Sequence, residues 1–188
     1  HIIMERPKTA NTIQVHDKRF KLFIPNEEIV ASVKRVADRI NNDYADRPIP
    51  LFVGVLNGAF MFMGELMQHI AIDCEISFVK IASYAGTEST GNIKQLIGLN
   101  TPVENRHVVI VVDIVDTGVS IEHTTELLKK MNPASVAVCT LLFKPESYTK
   151  TIPVDYCAFS VPDRFVVGFG LDYDGLGRNY KDIYEIDE

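Results

Sequence analysis

The chain holds 188 residues, 46% hydrophobic and 23% charged, which suits one compact domain with a substantial core and calls for no second. A formal net charge of −6 sets the surface as a whole against nucleic acid and anionic membrane, so any phosphate-bearing ligand has to be held locally, by amides, cations or a metal. Cys74, Cys139 and Cys157, odd in number and set in apolar segments, indicate reduced thiols and a cytoplasmic protein; no apolar run nears the roughly 18 residues of a membrane span, and His1 to Asn11 lacks a signal peptide's apolar core.

Arg19 to Ile24 is a short candidate strand. Pro25 and Asn26 open a strong helix in which Ile29, Val33, Val36, Ala37, Ile40 and Tyr44 recur at helical spacing, with Asn26 as N-cap and acids behind it; packing is its simplest role. Asp46 to Pro50 is a charged connection to a buried strand, Leu51 to Leu56, that ends at Asn57 and Gly58. Ala59 to Ile70 reads as a Met- and Phe-rich helix, a core or subunit-contact element. Cys74 to Ala82 is the next strand, and Ser83 to Asn92, rich in Ser, Thr and Gly, reads as a mobile loop. Gly86 and Gly91 have the spacing of a P-loop, but Asn92 and Ile93 stand where its Lys and Ser or Thr belong, so that reading fails on the residue that carries the charge. Lys94 to Leu99 pairs back as a short strand.

The stretch from His107 to Thr124, HVVIVVDIVDTGVSIEHT, is the most informative. The unbroken β-branched run Val108 to Val112 suits a strand covered on both faces, as in parallel sheets. It breaks at an acidic, Gly-containing turn, and Ile121 to Met131 follows as an amphipathic helix. Strands at Val136 to Phe143 and Tyr156 to Val161, an apolar run at Val166 to Leu171 and a closing segment at Ile183 to Ile186 complete the pattern. The alternation predicts an α/β fold: a doubly wound, mostly parallel sheet flanked by helices, with a core over about 25–161 and a small hood subdomain from the chain ends, about 12–24 and 162–188.

In such folds ligands bind beyond the carboxyl ends of strands, where a following helix offers free N–H groups to an anion. Asp113 and Asp116 could serve a ribose, a metal or a proton, while the amides of Thr117 to Ser120 and the hydroxyls of Thr117 and Ser120 suit a terminal phosphate. That combination suits a sugar phosphate. A lone strand-end Asp is often only a cap, and receiver domains and P-loop ATPases also carry one there. His69, His107 and His123 are unspaced for metal and read as core or surface histidines.

VVIVVDIVDTGVS resembles the phosphoribosyl-diphosphate signature of type I phosphoribosyltransferases. VGVLNGAFMFMGEL, SYAGTESTGNIK, CTLLFKP and VPDRFVVGFGLDY, with Arg178 soon after, resemble in order the characteristic segments of the hypoxanthine-guanine branch, together covering about Phe23 to Glu185. The resemblance implies a magnesium-dependent transfer of the phosphoribosyl group from phosphoribosyl diphosphate to N9 of a 6-oxopurine, hypoxanthine or guanine, with release of pyrophosphate, by a homodimer or homotetramer. Residue by residue, it makes Asp116 the general base near N7 and a ribose-phosphate contact. Thr117, Gly118, Val119 and Ser120 become the 5′-phosphate loop, and Asp113 the acid facing the ribose hydroxyls and a metal ligand. Lys144 donates to the 6-oxo group, Phe165 stacks on the purine, and Val166 offers main-chain contacts to its edge. Asp172 borders the purine and ligates a second magnesium. Asn57 and Gly58 form the pyrophosphate loop, often with a non-proline cis peptide; Arg178 binds pyrophosphate, and Ser83 and Tyr84 begin a flexible lid.

The chemistry agrees with these roles. A leaving pyrophosphate needs its charge stabilised, and water is the rival nucleophile that a closing polar loop excludes. An ammonium donates and cannot accept, so Lys144 favours a carbonyl over an amino group at position 6. The chain departs from the pattern twice. Val112 stands where the family usually has an acid, leaving Asp113 alone at the ribose hydroxyls, and Asn57 stands where relatives often have Lys or Arg, leaving pyrophosphate to backbone amides, magnesium and Arg178. The rival from another class is a regulator of the same fold that binds nucleotide and RNA; the charge of −6 and the lack of a clustered Lys/Arg face weigh against it. A receiver domain would leave Phe165 to Arg178 unexplained.

Overall fold

The computed structural model describes residues 10–85 and 92–188. In chain order its elements are β1 (Thr12–Val15), β2 (Lys18–Ile24), α1 (Asn26–Tyr44), β3 (Leu51–Val55), α2 (Phe60–Met67), β4 (Glu75–Ala85), β5 (Asn92–Ile97), β6 (His107–Val115), α3 (Val119–Lys129), β7 (Ser135–Phe143), β8 (Tyr156–Ser160), β9 (Val166–Val167) and β10 (Ile183–Ile186). Six strands form the main sheet in the order β5-β4-β3-β6-β7-β8, all neighbours parallel except the edge pair β4 and β5.

The β-branched run of β6 is buried throughout because helices cover both faces of this sheet. Val108, Ile110 and Val112 join a core with Ile121 and Leu128 of α3, and Val109 and Val111 join the opposite core with α1 and α2. Each such side chain, taken fully out of water, contributes roughly 1.5–3 kcal/mol. The apolar stripe of α1 lands as its spacing requires, with Ile29, Val33, Val36, Ala37, Ile40 and Tyr44 all buried.

The second sheet, β1-β2-β10-β9, is antiparallel and draws on both ends of the chain around Val15, Phe20, Val167 and Tyr184. It is tied to the main sheet at the start of α1. There the sequence expectation needs correction: Pro25 occupies the N-cap, and Asn26 is the first helical residue. The Asn26 amide instead donates to the buried Asp182 carboxylate (2.7 Å), just before β10, so the cap comes from a remote acid that also suits the positive end of the helix.

Several other boundaries moved: α3 starts two residues earlier than Ile121, β5 runs from Asn92 to Ile97, and the apolar run from Val166 is a strand only as far as Val167. The second helix ends at Met67, short of Ile70, because the Asn41 side chain donates to the carbonyl of His69 and accepts from the amide of Ala71, turning the chain aside. The fourth strand runs past Ala82: Ser83, Tyr84 and Ala85 pair with Lys94, Ile93 and Asn92 in a hairpin. The Gly86 and Gly91 positions between them lie outside the described residues.

Candidate active site

The chain leaves β3 for α2 on one face and β6 for α3 on the other, so the two adjacent strands part at their carboxyl ends and open a crevice. Asn57 and Gly58 lie at one lip, Asp113 to Ser120 at the other. The Leu56–Asn57 peptide is cis, Asn57 is exposed and Gly58 buried. A Cβ on Gly58 would stand 1.9 Å from Asp113 Oδ2, so only glycine lets this loop lie directly on the carboxylate.

Beyond β6 the backbone turns through Gly118 at φ 96°, and α3 begins at Val119 with no side-chain cap. The Thr117 carbonyl accepts from both the amide and the hydroxyl of Thr149 (3.1 Å each), which pins the turn from behind. The first turn of α3 opens on a cavity walled by Val55 and residues 112–121. A helix start of this kind, rich in N–H groups and flanked by Thr117 and Ser120, is suited to an anion. Val112, buried in the α3-side core, lines the same cavity and brings no charge to it.

A second cavity shares Asp113, Ile114 and Asp116 with the first and adds Lys144, Phe165, Val166, Leu171 and Asp172. The two therefore meet along one wall, carboxylate-lined. Lys144 follows β7, its amide bonded to the Val115 carbonyl at 3.0 Å, and its side chain is only 7% exposed. Its Nζ lies 3.5 Å from Asp116 Oδ2 and 3.3 Å from Asp163 Oδ1. Asp163 was not singled out in the sequence, where a single acid between Pro162 and Arg164 carries no pattern.

Phe165 is 42% exposed and faces this cavity, packed against Phe20 of β2 (5.6 Å between centroids) and in a T-shaped contact with Tyr173 (5.4 Å, 87°). Tyr173 donates in turn to the Asp17 carboxylate. Neither supporting ring was visible as such in the sequence, because both contacts are tertiary. The Val166 backbone is held in β9 opposite Glu185.

Asp172 and Arg178 close the crevice. Arg178 Nη2 lies 3.2 Å from Asp172 Oδ1, Nη1 donates to the Gly170 carbonyl (2.7 Å), and the Gly175 amide donates to Asp172 Oδ2 (2.8 Å). Burial pushes the Asp113 carboxyl above the usual carboxylate range; the Ile114 amide and the Arg178 charge pull back and Asp172 adds to the rise. Of the residues expected to act together, Asn57, Gly58, Asp113, Asp116 to Ser120, Lys144, Phe165, Val166, Asp172 and Arg178 all border this one crevice or its lips. Ser83 and Tyr84 lie at the end of β4 in the hairpin with β5.

The phosphoribosyl transferase domain matches residues 24–174, about four-fifths of the 188-residue chain, in one block. The chain belongs to the phosphoribosyltransferase family, transferases of mixed α/β fold. It is 40% identical over 164 residues to the hypoxanthine-guanine phosphoribosyltransferase of Streptococcus mutans (87% of this chain, 89% of that one). It is also 40% identical over 160 residues to the Streptococcus thermophilus enzyme of the same name (85% and 88%). Among solved structures, a hypoxanthine phosphoribosyltransferase from Staphylococcus aureus matches with a TM-score of 0.80 at 36% identity, covering 89% of this chain and 91% of that one. The Trypanosoma cruzi hypoxanthine phosphoribosyltransferase matches at 0.79 and 30% identity, covering 88% and 95%.

Proposed function

We infer that this chain transfers the phosphoribosyl group of phosphoribosyl diphosphate to N9 of hypoxanthine or guanine, giving the nucleoside monophosphate and pyrophosphate in purine salvage. The observation that carries the reading is the shared wall: the cavity at the start of α3 and a second cavity lined by Lys144 and Phe165 meet along Asp113, Ile114 and Asp116. A ribose between a 5′-phosphate and a base spans such a junction.

In this reading the loop Thr117, Gly118, Val119 and Ser120 holds the 5′-phosphate through amides and hydroxyls. Asp113 faces the ribose hydroxyls. Phe165 stacks on the purine, Lys144 donates to its 6-oxo oxygen, and the Val166 main chain meets its edge. Asp116, half exposed beside that position, accepts the proton at N7 as N9 attacks the anomeric carbon. The loop amides at Asn57 and Gly58 and the Arg178 guanidinium hold the diphosphate. Ser83 and Tyr84 lead into the lid that keeps water, the competing nucleophile, away.

Magnesium suits this donor set. The Asp113 carboxylate is partly buried and has an amide rather than a cation as its hydrogen-bond partner, and Asp172 stands near it. Among the described residues no cluster of three or more ligating side chains occurs, which fits a cation that takes one or two carboxylates and draws its other oxygens from substrate phosphates and water. Bound there, it would offset the charge that builds on the leaving diphosphate. The same reading treats the chain as one catalytic domain with its hood, working in the cytoplasm as a homodimer or homotetramer; three free thiols agree with a reducing compartment.

The test is a steady-state assay of hypoxanthine, guanine, xanthine and adenine with phosphoribosyl diphosphate, with and without magnesium. Turnover of hypoxanthine or guanine, little with adenine and none after chelation is expected. Failure to form nucleotide from any 6-oxopurine overturns the reading.

A further inference from the structure

Lys144 is a buried ammonium held between two carboxylates, and the order of the strands explains why. β7 lies between β6 and β8, and the ladder continues past their ends: the Lys144 amide donates to the Val115 carbonyl and the Val161 amide donates to the Phe143 carbonyl. The side chain leaving β7 therefore meets one acid from each neighbour, Asp116 after β6 (3.5 Å) and Asp163 after β8 (3.3 Å). The Lys144 ammonium donates a hydrogen bond to Asp163, the shorter of the two contacts.

The Lys144 and Asp116 roles inferred above demand such an arrangement. A buried ammonium with a single acidic neighbour closes onto it as a pair. If that neighbour were Asp116 alone, the pairing would tie up the acceptor meant for N7 and turn the donor away from the 6-oxo oxygen. We propose that Asp163 is a positioning residue of the transfer reaction: it takes one N–H of Lys144, so that Asp116 takes a second and the third is left for the carbonyl of the base. An ammonium has three donors, and this divides them without remainder. Asp163 itself is 61% exposed and so does not need to be desolvated to do this. The proposal rests on Lys144 being the contact to the base.

The experiment compares Asp163→Ala and Asp163→Asn with the parent enzyme, each also in a Lys144→Met background. An exposed partner of a buried ammonium is worth roughly a three- to tenfold effect. The KM for hypoxanthine should rise by that factor, the KM for phosphoribosyl diphosphate should stay put as a control for the fold, and the preference for hypoxanthine over adenine should narrow. Asp163→Glu should recover part of the loss. In the Lys144→Met background the Asp163 substitutions should have no further effect, because the group they position is gone. Parental hypoxanthine kinetics in Asp163→Ala overturn the proposal, as does an undiminished loss in the Lys144→Met background. An unchanged hypoxanthine KM in Lys144→Met alone overturns the base-contact reading beneath it, which separates the two failures.

Discussion

Asp113 and Asp116 leave the same strand three residues apart, yet their surroundings give them different chemistry. Asp116 is about half exposed beside an ammonium, whereas Asp113 is partly buried and lies directly under the Gly58 loop. Asp116→Asn keeps the shape and removes the carboxylate proposed above as proton acceptor, so kcat should fall by about 10²- to 10⁴-fold while affinity for phosphoribosyl diphosphate changes little, to be checked by pre-steady-state and binding measurements. Asp113 has its carboxyl pushed up by burial, so the folded protein binds that proton more tightly than the unfolded chain does. Its contribution to stability is then fullest below the unfolded value and is lost as pH rises through the folded one. Accordingly, metal-free Asp113→Asn should melt at a higher temperature than the parent at pH 7, and the gap should shrink toward pH 4; an equal or lower melting temperature at pH 7 counts against burial as the dominant influence. Residues of this kind were legible because they sit in a dense local pattern. Asp163, Phe20 and Tyr173 were not, since each matters only through a contact made by the folded chain and not through any local pattern.

At the scale of elements, period and composition carried far. The buried run of β6 and the stripe of α1 are readable because each answers to one local requirement, two-sided burial for the first and a single apolar face for the second. Boundaries set from outside were not readable. The start of α1 is held by Asp182, 156 residues downstream, and the end of α2 by Asn41 from the neighbouring helix. Ser83 to Ala85 have the polar look of a loop but continue β4 because β5 returns to pair with them. Asp182→Ala should leave the Asn26 amide without its partner in a buried setting, lowering unfolding free energy by roughly 1–3 kcal/mol in urea titration. A midpoint identical to the parent's would mean that water replaces the carboxylate at no cost.

For the molecule as a whole, charge separates the transferase from a regulator of the same fold. With a net charge of −6 and no clustered basic face in the sequence, the protein should fail to retain RNA in a filter-binding assay at about 0.15 M salt. Tight retention there, without nucleotide synthesis, would favour the regulator.

The second sheet carries a consequence for biosynthesis. Its β2 strand borders β10 across most of the chain's length, and Phe165, with Phe20 of β2 beneath it, hands its carbonyl to the Ile186 amide. While residues 183–186 are still inside the ribosome, β2 has an open edge and the aromatic shelf is unfinished, although every residue of the α3 turn has already emerged. The cavity at the start of α3 therefore has all its lining residues out of the ribosome before the strand that pins Phe165 is made, so synthesis runs from the anion-suited cavity to its aromatic wall.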